Sequence, residues 1–164
     1  MKKKLAIAAM VSALIFISLG LFMYHSIRSP LLEGAEEASD YLLNNNLLQT
    51  VDDLSFYHGG EGYWVAVGTD EDGETSIAWL NYDPEDRENT LVLPADSGVP
   101  KEEIKAEVSE ELNVESFDSV RLGMEDGRPI YEFTYNSAQQ ARVFYYMSFE
   151  TGEYVKSYSV SINP

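Results

Sequence analysis

Carboxylates are the most abundant side chains in this sequence that are able to do chemistry. The 164 residues include 28 Asp and Glu against 11 Lys and Arg, with two His and no Cys. The lack of cysteine excludes a disulfide framework, a thiol nucleophile and a thiolate metal site. With only His25 and His58 present, a histidine-rich metal site is excluded as well, and a Ser-His-Asp triad would have only His58 to use.

The acidic run DEDGE, Asp70–Glu74, is the first candidate for a cation site. A calcium loop supplies about 6–8 oxygen ligands spread over some twelve residues. Here the run is short, and the strand-like sequence TSIAW follows directly. Asp72-Gly73 is instead typical of a two-residue hairpin loop, in which both central residues have positive φ. We therefore predict a turn at this point and no metal site.

Catalytic motifs are missing from the chain. It has neither a G-x-S-x-G elbow nor an H-E-x-x-H helix. A glycosidase needs two carboxylates about 5–9.5 Å apart in a cleft, and nothing in the pattern marks a cleft. The chain also lacks a phosphate-binding glycine loop and a basic patch with aromatic residues. We predict a protein that is not an enzyme, with no cofactor, no small-molecule substrate and no nucleic-acid partner.

Negative charge is concentrated beyond the N-terminal segment. The formal net charge is −17, and residues 29–164 carry 7 Lys and Arg against 28 Asp and Glu, which is −21. Such a domain is repelled by nucleic acid and by anionic lipid headgroups. Two interpretations stay open: a solubility device for a salty or alkaline environment, or a surface for a basic partner. In the second, the acidic loop DPEDRE presents Asp86 as a candidate contact.

The N-terminus predicts where the protein is located. Three lysines precede Leu5–Tyr24, a run of twenty residues without a formal charge. As a helix this run spans about 30 Å, the thickness of a hydrocarbon core. The lysines keep the N-terminus in the cytoplasm, so the chain beyond about Arg28 lies outside a single-pass cell-membrane anchor. A cleaved signal peptide is the alternative, because Ser18 and Gly20 are small, and it gives the same location.

The rest of the chain predicts one order of elements twice. Residues 33–48 have the apolar spacing of an amphipathic helix, and strand-like runs follow. A second helix over 96–112 places Ile104, Val108 and Leu112 on one face, and strands separated by Asp126-Gly127 and Thr151-Gly152 turns follow it. We predict an α+β fold with a transmembrane helix and two tandem modules, each a helix packed on an antiparallel sheet. The boundaries are 1–28 for the cytoplasmic tip and anchor, 29–96 for the first module and 97–164 for the second.

The strand IYEFTY alternates between apolar and polar residues. Tyr131, Phe133 and Tyr135 share one face, opposite Glu132 and Thr134. This alternation predicts a sheet with one buried face and one solvated face.

The next strand, RVFYYMSF, is apolar on both sides. Phe144 and Tyr146 point away from the face that holds Val143, Tyr145 and Met147. One explanation is that they pack against the other half of the chain or under a loop. The other is a protein-binding patch, because aromatic residues are enriched in interface cores. Phe144 and Tyr146 are therefore candidate partner contacts.

The hairpin DGRPIYEF and the later turn SFETGEYV resemble the PepSY pattern. Together with the lysine-led anchor and the repeated unit, they make the chain similar to the YpmB/TseB-like family of Firmicutes, which regulates cell-wall elongation. The resemblance implies cystatin-like or PepSY-like modules outside the membrane, association with a class B penicillin-binding protein, and no catalytic residue. The alternative function is a PepSY-type protease-inhibitory or chaperone-like module at the cell surface.

Overall fold

The computed structural model describes residues 33–162, so the predicted anchor at Leu5–Tyr24 lies outside the described residues. Within 33–162, no helix has the length and apolar character needed to cross a membrane. Helix α1 covers 33–44. It is followed by β1 (Asp53–His58), β2 (Gly62–Thr69), β3 (Thr75–Asn81), β4 (Leu91–Pro94), α2 (Lys101–Leu112), β5 (Ser119–Glu125), β6 (Arg128–Asn136), β7 (Ala141–Ser148) and β8 (Tyr154–Ser161).

The strands form two antiparallel four-stranded sheets. The first has the order β1-β2-β3-β4 and the second has the order β5-β6-β7-β8, so each is a simple meander. A helix precedes each meander along the chain. The predicted α+β class and the repeated order of helix and four strands are therefore confirmed.

The two Asp-Gly turns behave differently. Asp126 and Gly127 both have positive φ, 48° and 71°, in the two-residue loop between β5 and β6, as predicted. The prediction of the same loop at Asp72-Gly73 is wrong, because only Gly73 has positive φ and the loop extends from Asp70 to Glu74. The Asp70 side chain accepts hydrogen bonds from backbone N–H groups of this loop, and these bonds stabilise the wider turn.

The segment that follows α1 covers the outer face of the first sheet. Ala38 and Leu42 of α1 are fully buried, in agreement with the predicted apolar spacing. Position 68 of β2 has no room for a side chain. A Cβ on Gly68 would lie 1.9 Å from the carbonyl oxygen of Thr50 and 3.3 Å from the Leu48 side chain. Close backbone approach of this kind is a common reason for glycine within a strand.

Helix α2 covers one face of the second sheet. Its Ile104 and Val108 are fully buried. The hydroxyl of Tyr145 on β7 donates to Glu111 of α2 over 3.3 Å, and the hydroxyl of Tyr131 on β6 donates to the carbonyl of Val99 before the helix over 2.9 Å. The odd-numbered residues of the central strands therefore face α2.

The two sheets contribute to one buried cluster. The ring of Trp79 on β3 lies 5.4 Å from the ring of Phe149, which follows β7, in an edge-to-face arrangement. The ring of Tyr57 on β1 lies against Gly123 of β5, where a Cβ would come within 2.5 Å of it. Residues from Ala38 onwards form one compact unit. The predicted boundary between modules at residues 96 and 97 stays a prediction.

Candidate binding surface

Glu132 lies at the centre of the second sheet and is only 3% exposed. The prediction that Glu132 and Thr134 face solvent is wrong, because both side chains are buried. The register places Glu132 between Arg121 of β5 and Tyr146 of β7. Arg121 forms an ion pair with one carboxylate oxygen, and the Tyr146 hydroxyl donates to the other over 2.9 Å. Each oxygen of this buried carboxylate therefore has a hydrogen-bonding partner, as burial requires.

An aromatic ladder extends from this carboxylate to the surface. The hydroxyls of Tyr146 and Tyr158 lie 3.1 Å apart. Glu132 and the Tyr158 oxygen are therefore both acceptors for the single hydroxyl proton of Tyr146. The Tyr158 ring stacks on Phe144 with 4.8 Å between centroids and on Tyr146 with 5.9 Å. The buried network thus fixes the position of an exposed tyrosine.

A second carboxylate, Glu125, links the two sheets. It accepts a hydrogen bond from the Tyr57 hydroxyl over 3.1 Å and forms an ion pair with Lys156. The ammonium group of Lys156 also lies 5.0 Å from the centre of the Tyr146 ring, which is within cation–π range. Lys156 is therefore directed back onto its own sheet.

Two tyrosines and one lysine of this network have raised pKa values. Burial, reinforced by neighbouring carboxylates, raises the pKa of Tyr57 and of Tyr146 well above the ordinary tyrosine value. The hydrogen bond to Glu125 raises the pKa of Lys156. At neutral pH the tyrosines are neutral donors and the lysine is charged. Tyr57 and Lys156 both contact Glu125, so these side chains connect the two sheets.

The last strand is the most exposed apolar element of the described chain. Within residues 33–162, seven large apolar side chains are exposed, and five of them lie on β8 or directly after it. These five are Tyr154, Val155, Tyr158, Val160 and Ile162. Exposed apolar residues that cluster on one element are typical of an interaction site.

The structure places the two aromatic candidate contacts at different depths. Phe144 is half-buried beside the exposed ring of Tyr158. Tyr146 is 1% exposed, so its side chain has no free surface and instead supports Tyr158 from below. The position of Tyr146 agrees with the packing explanation. Partner binding by either residue stays a prediction.

Asp86, the acidic candidate, is exposed in a 3-10 turn at Pro84–Asn89. The turn is well fixed, because the Asp83 side chain accepts from the backbone N–H of Glu85 over 3.0 Å. Arg87 is only 7% exposed and lies over the Tyr41 ring of α1 at 5.6 Å. The loop thus directs its arginine inwards and its acids outwards. Binding of a basic partner through Asp86 stays a prediction.

The acidic run at Asp70 has a structural role. The carboxylate of Asp70 accepts from the backbone N–H groups of Glu74 and Asp72 and from the hydroxyl of Ser76, over 2.9, 3.1 and 3.0 Å. The backbone N–H of Glu74 makes the largest contribution to the lowered pKa of Asp70. In the described part of the chain, no group of three or more His, Asp or Glu side chains is arranged to hold a metal ion.

A groove of 590 Å³ lies between the β5–β6 hairpin and the turn that joins β7 to β8. Five residues of the PepSY resemblance line it: Asp126, Arg128, Pro129, Thr151 and Glu153. Glu125 and Glu150 also line the groove, so its lining includes four carboxylates and one arginine. The groove reaches Tyr154 and Val155, where β8 begins. The acidic groove and the exposed strand are therefore continuous.

Comparison with known proteins gives consistent matches. A family model described as "Cell wall elongation regulator TseB-like domain" matches residues 37–81. The "Probable cell wall elongation regulator TseB" of Bacillus subtilis (strain 168) is 26% identical over 160 residues, which cover 96% of this chain and 98% of that protein. The predicted resemblance to the YpmB/TseB-like family is confirmed. The chain is also similar to the solved structure of the YpmB protein from Bacillus subtilis, with a TM-score of 0.67 and 25% identity; the match covers 76% of this chain and 96% of that chain.

Sequence reasoning missed the link between the sheets. Tyr57 and Glu125 are 68 residues apart in the chain, and no local pattern connects them. The signal that was available is Gly123, a glycine inside a strand pattern, which indicates close approach by another group. Sequence reasoning also missed the exposure of β8. Its alternation of serine with Tyr158 and Val160 resembles a half-buried strand.

Proposed function

We propose that this protein is a membrane-anchored, extracytoplasmic and non-enzymatic regulator of cell-wall elongation that binds a class B penicillin-binding protein. The observation that carries the proposal is the similarity to a probable cell wall elongation regulator over 96% of this chain and 98% of the relative. A match over nearly the full length of both chains favours a shared role more than a match to one module would.

The anchor is proposed from the sequence. Leu5–Tyr24 has the length and the lack of charge of a membrane span, and the three preceding lysines favour a cytoplasmic N-terminus. The domain from residue 33 would then lie on the outer side, where the cell wall is built. Its excess of negative charge would keep it away from anionic headgroups and leave its binding surface accessible.

The geometry of the polar residues supports binding in preference to catalysis. Glu132 and Glu125 are engaged by Arg121 and Lys156, and the tyrosines beside them are neutral donors. A protein that acts by contact needs a rigid presenting surface. The Glu132 network gives such a surface to the exposed side of β7 and β8. Phe144 on this surface, and Asp86 on the acidic loop, are the proposed contacts.

The function is testable in Bacillus subtilis cells that lack their own TseB-like protein. We expect the full chain to restore normal cell length and lateral wall labelling with a fluorescent D-amino acid. We also expect affinity purification of the chain to recover a protein that is labelled by fluorescent penicillin. A matched control replaces residues 5–24 with an unrelated membrane helix. If the control restores growth and retains the partner, the extracytoplasmic domain carries the function.

Two results would overturn the proposal. One is that the full chain, expressed at the level of the native protein, neither restores cell shape nor recovers a penicillin-labelled partner. The other is recovery of a stable protease complex in place of the penicillin-binding protein, with inhibition of that protease by the chain. That second result would favour the PepSY-type inhibitory function.

A further inference from the structure

Strand β8 presents an open backbone edge. It is the last strand of the second sheet, and no other strand of residues 33–162 pairs with its outer side. The backbone N–H of Ile162 donates to Gln140, on the β7 side, over 2.9 Å. In an antiparallel pair the inward-bonding residues alternate, so Tyr158 and Val160 bond towards β7. The backbone groups of Ser157 and Ser159 therefore point outwards.

The β4 edge of the first sheet is blunted. Strand β4 has four residues and ends in Pro94. On β5 the Tyr57 ring lies over one face of the strand at Gly123. Soluble proteins protect open edges with proline, with lysine, with bulges or with a cover. In β8 the only lysine is Lys156, which is paired inwards with Glu125, and the single register shift lies at its start, opposite Tyr146 and Met147. Among the described residues, the edge from 157 to 162 has no such protection.

The side chains of β8 suit an incoming strand. Tyr158 and Val160 are 48% and 55% exposed on one face, and the aromatic ladder holds Tyr158 in place. Ser157 and Ser159 are small and lie on the opposite face. A strand that pairs with this edge would place alternate side chains beside Tyr158 and Val160, and apolar residues fit there.

Charge differs between the two ends of β8. At Tyr154 the strand starts beside the acidic groove, which Asp126, Glu150 and Glu153 line. At Val160 the neighbouring Arg142 is paired with Asp118 over 3.9 Å, so that end is balanced. A positive residue of a bound segment would therefore be attracted to the Tyr154 end of β8. The Val160 end would favour neither a positive nor a negative residue.

We propose that the outer edge of β8 binds an extended segment of a partner protein by strand addition, with apolar residues beside Tyr158 and Val160 and a Lys or Arg at the Tyr154 end. The inference rests on the proposed function for the class of partner, the penicillin-binding protein. A second copy of this chain is disfavoured because each copy has a formal net charge of −17, and the two negative charges repel each other. A short edge is sufficient when both proteins are anchored in one membrane, since anchoring raises their effective concentration.

The test uses the full chain in living cells with a photoreactive residue at Ser157. The decisive pair of variants is Ser159→Pro and Ser159→Ala. Proline removes the outward N–H and adds a ring at the edge without loss of a bond to β7, whereas alanine keeps the N–H. We expect crosslinking to a penicillin-labelled protein from Ser157, a loss of about tenfold or more in Ser159→Pro, and no loss in Ser159→Ala.

Two further variants keep the test independent of folding defects. The double variant Tyr158→Ser with Val160→Ser leaves the backbone unchanged and is expected to reduce crosslinking by about tenfold. The double variant Glu150→Gln with Glu153→Gln is expected to reduce crosslinking about two- to tenfold. Melting temperatures of all variants show whether the fold is kept.

The outcomes separate this inference from the proposed function. If a photoreactive residue at Asp86 or in the anchor crosslinks the penicillin-binding protein and one at Ser157 does not, binding at the β8 edge is overturned. The proposed function then still holds. Recovery of a second copy of the chain from Ser157 overturns the choice of partner. Equal crosslinking by Ser159→Pro and Ser159→Ala in folded protein overturns strand addition. If the wild-type chain neither crosslinks the penicillin-binding protein nor restores cell shape, the proposed function itself fails.

Discussion

The hydroxyl of Tyr146 provides a direct measure of how much the Glu132 network stabilises the fold. Tyr146 and Glu132 are 1% and 3% exposed, and the hydroxyl donates to the carboxylate over 2.9 Å. Tyr146→Phe keeps the ring and its stacking but leaves one buried carboxylate oxygen without its donor. A hydrogen bond to a charged group contributes about 1.5–3 kcal/mol to stability. We therefore expect Tyr146→Phe to lower the free energy of unfolding by about that amount.

Urea unfolding followed by far-ultraviolet circular dichroism is the assay. With a slope of about 1–3 kcal/mol per molar urea, the midpoint should fall by roughly 1 M. Tyr158→Phe is the matched control, because the hydroxyl it removes belongs to a residue that is 48% exposed. Its change should stay within about 0.5 kcal/mol. The reasoning is refuted if Tyr146→Phe leaves the midpoint unchanged, or if both variants lower it equally.

A second substitution shows whether the charge of Glu132 is responsible. In a Glu132→Gln background the acceptor is neutral, and a neutral hydrogen bond contributes about 0.5–1.5 kcal/mol. The additional cost of Tyr146→Phe should therefore be about half of its cost in the wild type. An equal cost in both backgrounds would show that packing, and not the charged hydrogen bond, carries the effect.

Three further predictions concern other parts of the fold. Gly123→Ala places a Cβ within 2.5 Å of the Tyr57 ring and should cost about 1–3 kcal/mol in urea unfolding, whereas Gly60→Ala, with no atom within 4 Å, should be neutral. Because the loop's backbone N–H groups lower the pKa of Asp70, the stability that Asp70 contributes is present above its unfolded pKa and is lost in acid. Asp70→Asn should therefore flatten the acid end of a stability–pH curve, and an unchanged curve would contradict this. Burial raises the pKa of Tyr131 to about 12. Because the unfolded chain loses this proton from about pH 10, the stability that the neutral Tyr131 contributes is lost between about pH 10 and 12. Tyr131→Phe should therefore reduce the loss of stability at alkaline pH.

Local patterns predicted the elements well where local chemistry decides the structure. The Asp126-Gly127 turn follows from the positive φ that both positions need, and no distant residue alters it. The spacing of Ile104 and Val108 likewise predicted the buried face of α2. The Asp72-Gly73 prediction failed because the nearby Asp70 carboxylate captures backbone donors and widens the loop.

Burial of the candidate site was harder to predict, since it depends on pairs that are distant in the chain. Alternation in β6 marks Glu132 as polar, but it does not show that Arg121 and Tyr146 flank it in the sheet. Nor does it show that Tyr57 from the first sheet lies on Gly123. The same limit applies to β8: a strand with apolar residues at every second position looks half-buried, whether or not anything covers it.

The positions of the two tryptophans give the protein two separate optical reporters. Trp64 and Trp79 lie on neighbouring strands of the first sheet, on opposite faces, and both are buried. Trp64 lies beside Phe56, 5.0 Å between ring centroids, whereas Trp79 lies against Phe149 from the second half. A Trp64→Phe variant therefore emits only from the junction of the sheets, and a Trp79→Phe variant emits only from the outer face. If the halves separate before either unfolds, emission from Trp79 will change at a lower denaturant concentration than emission from Trp64.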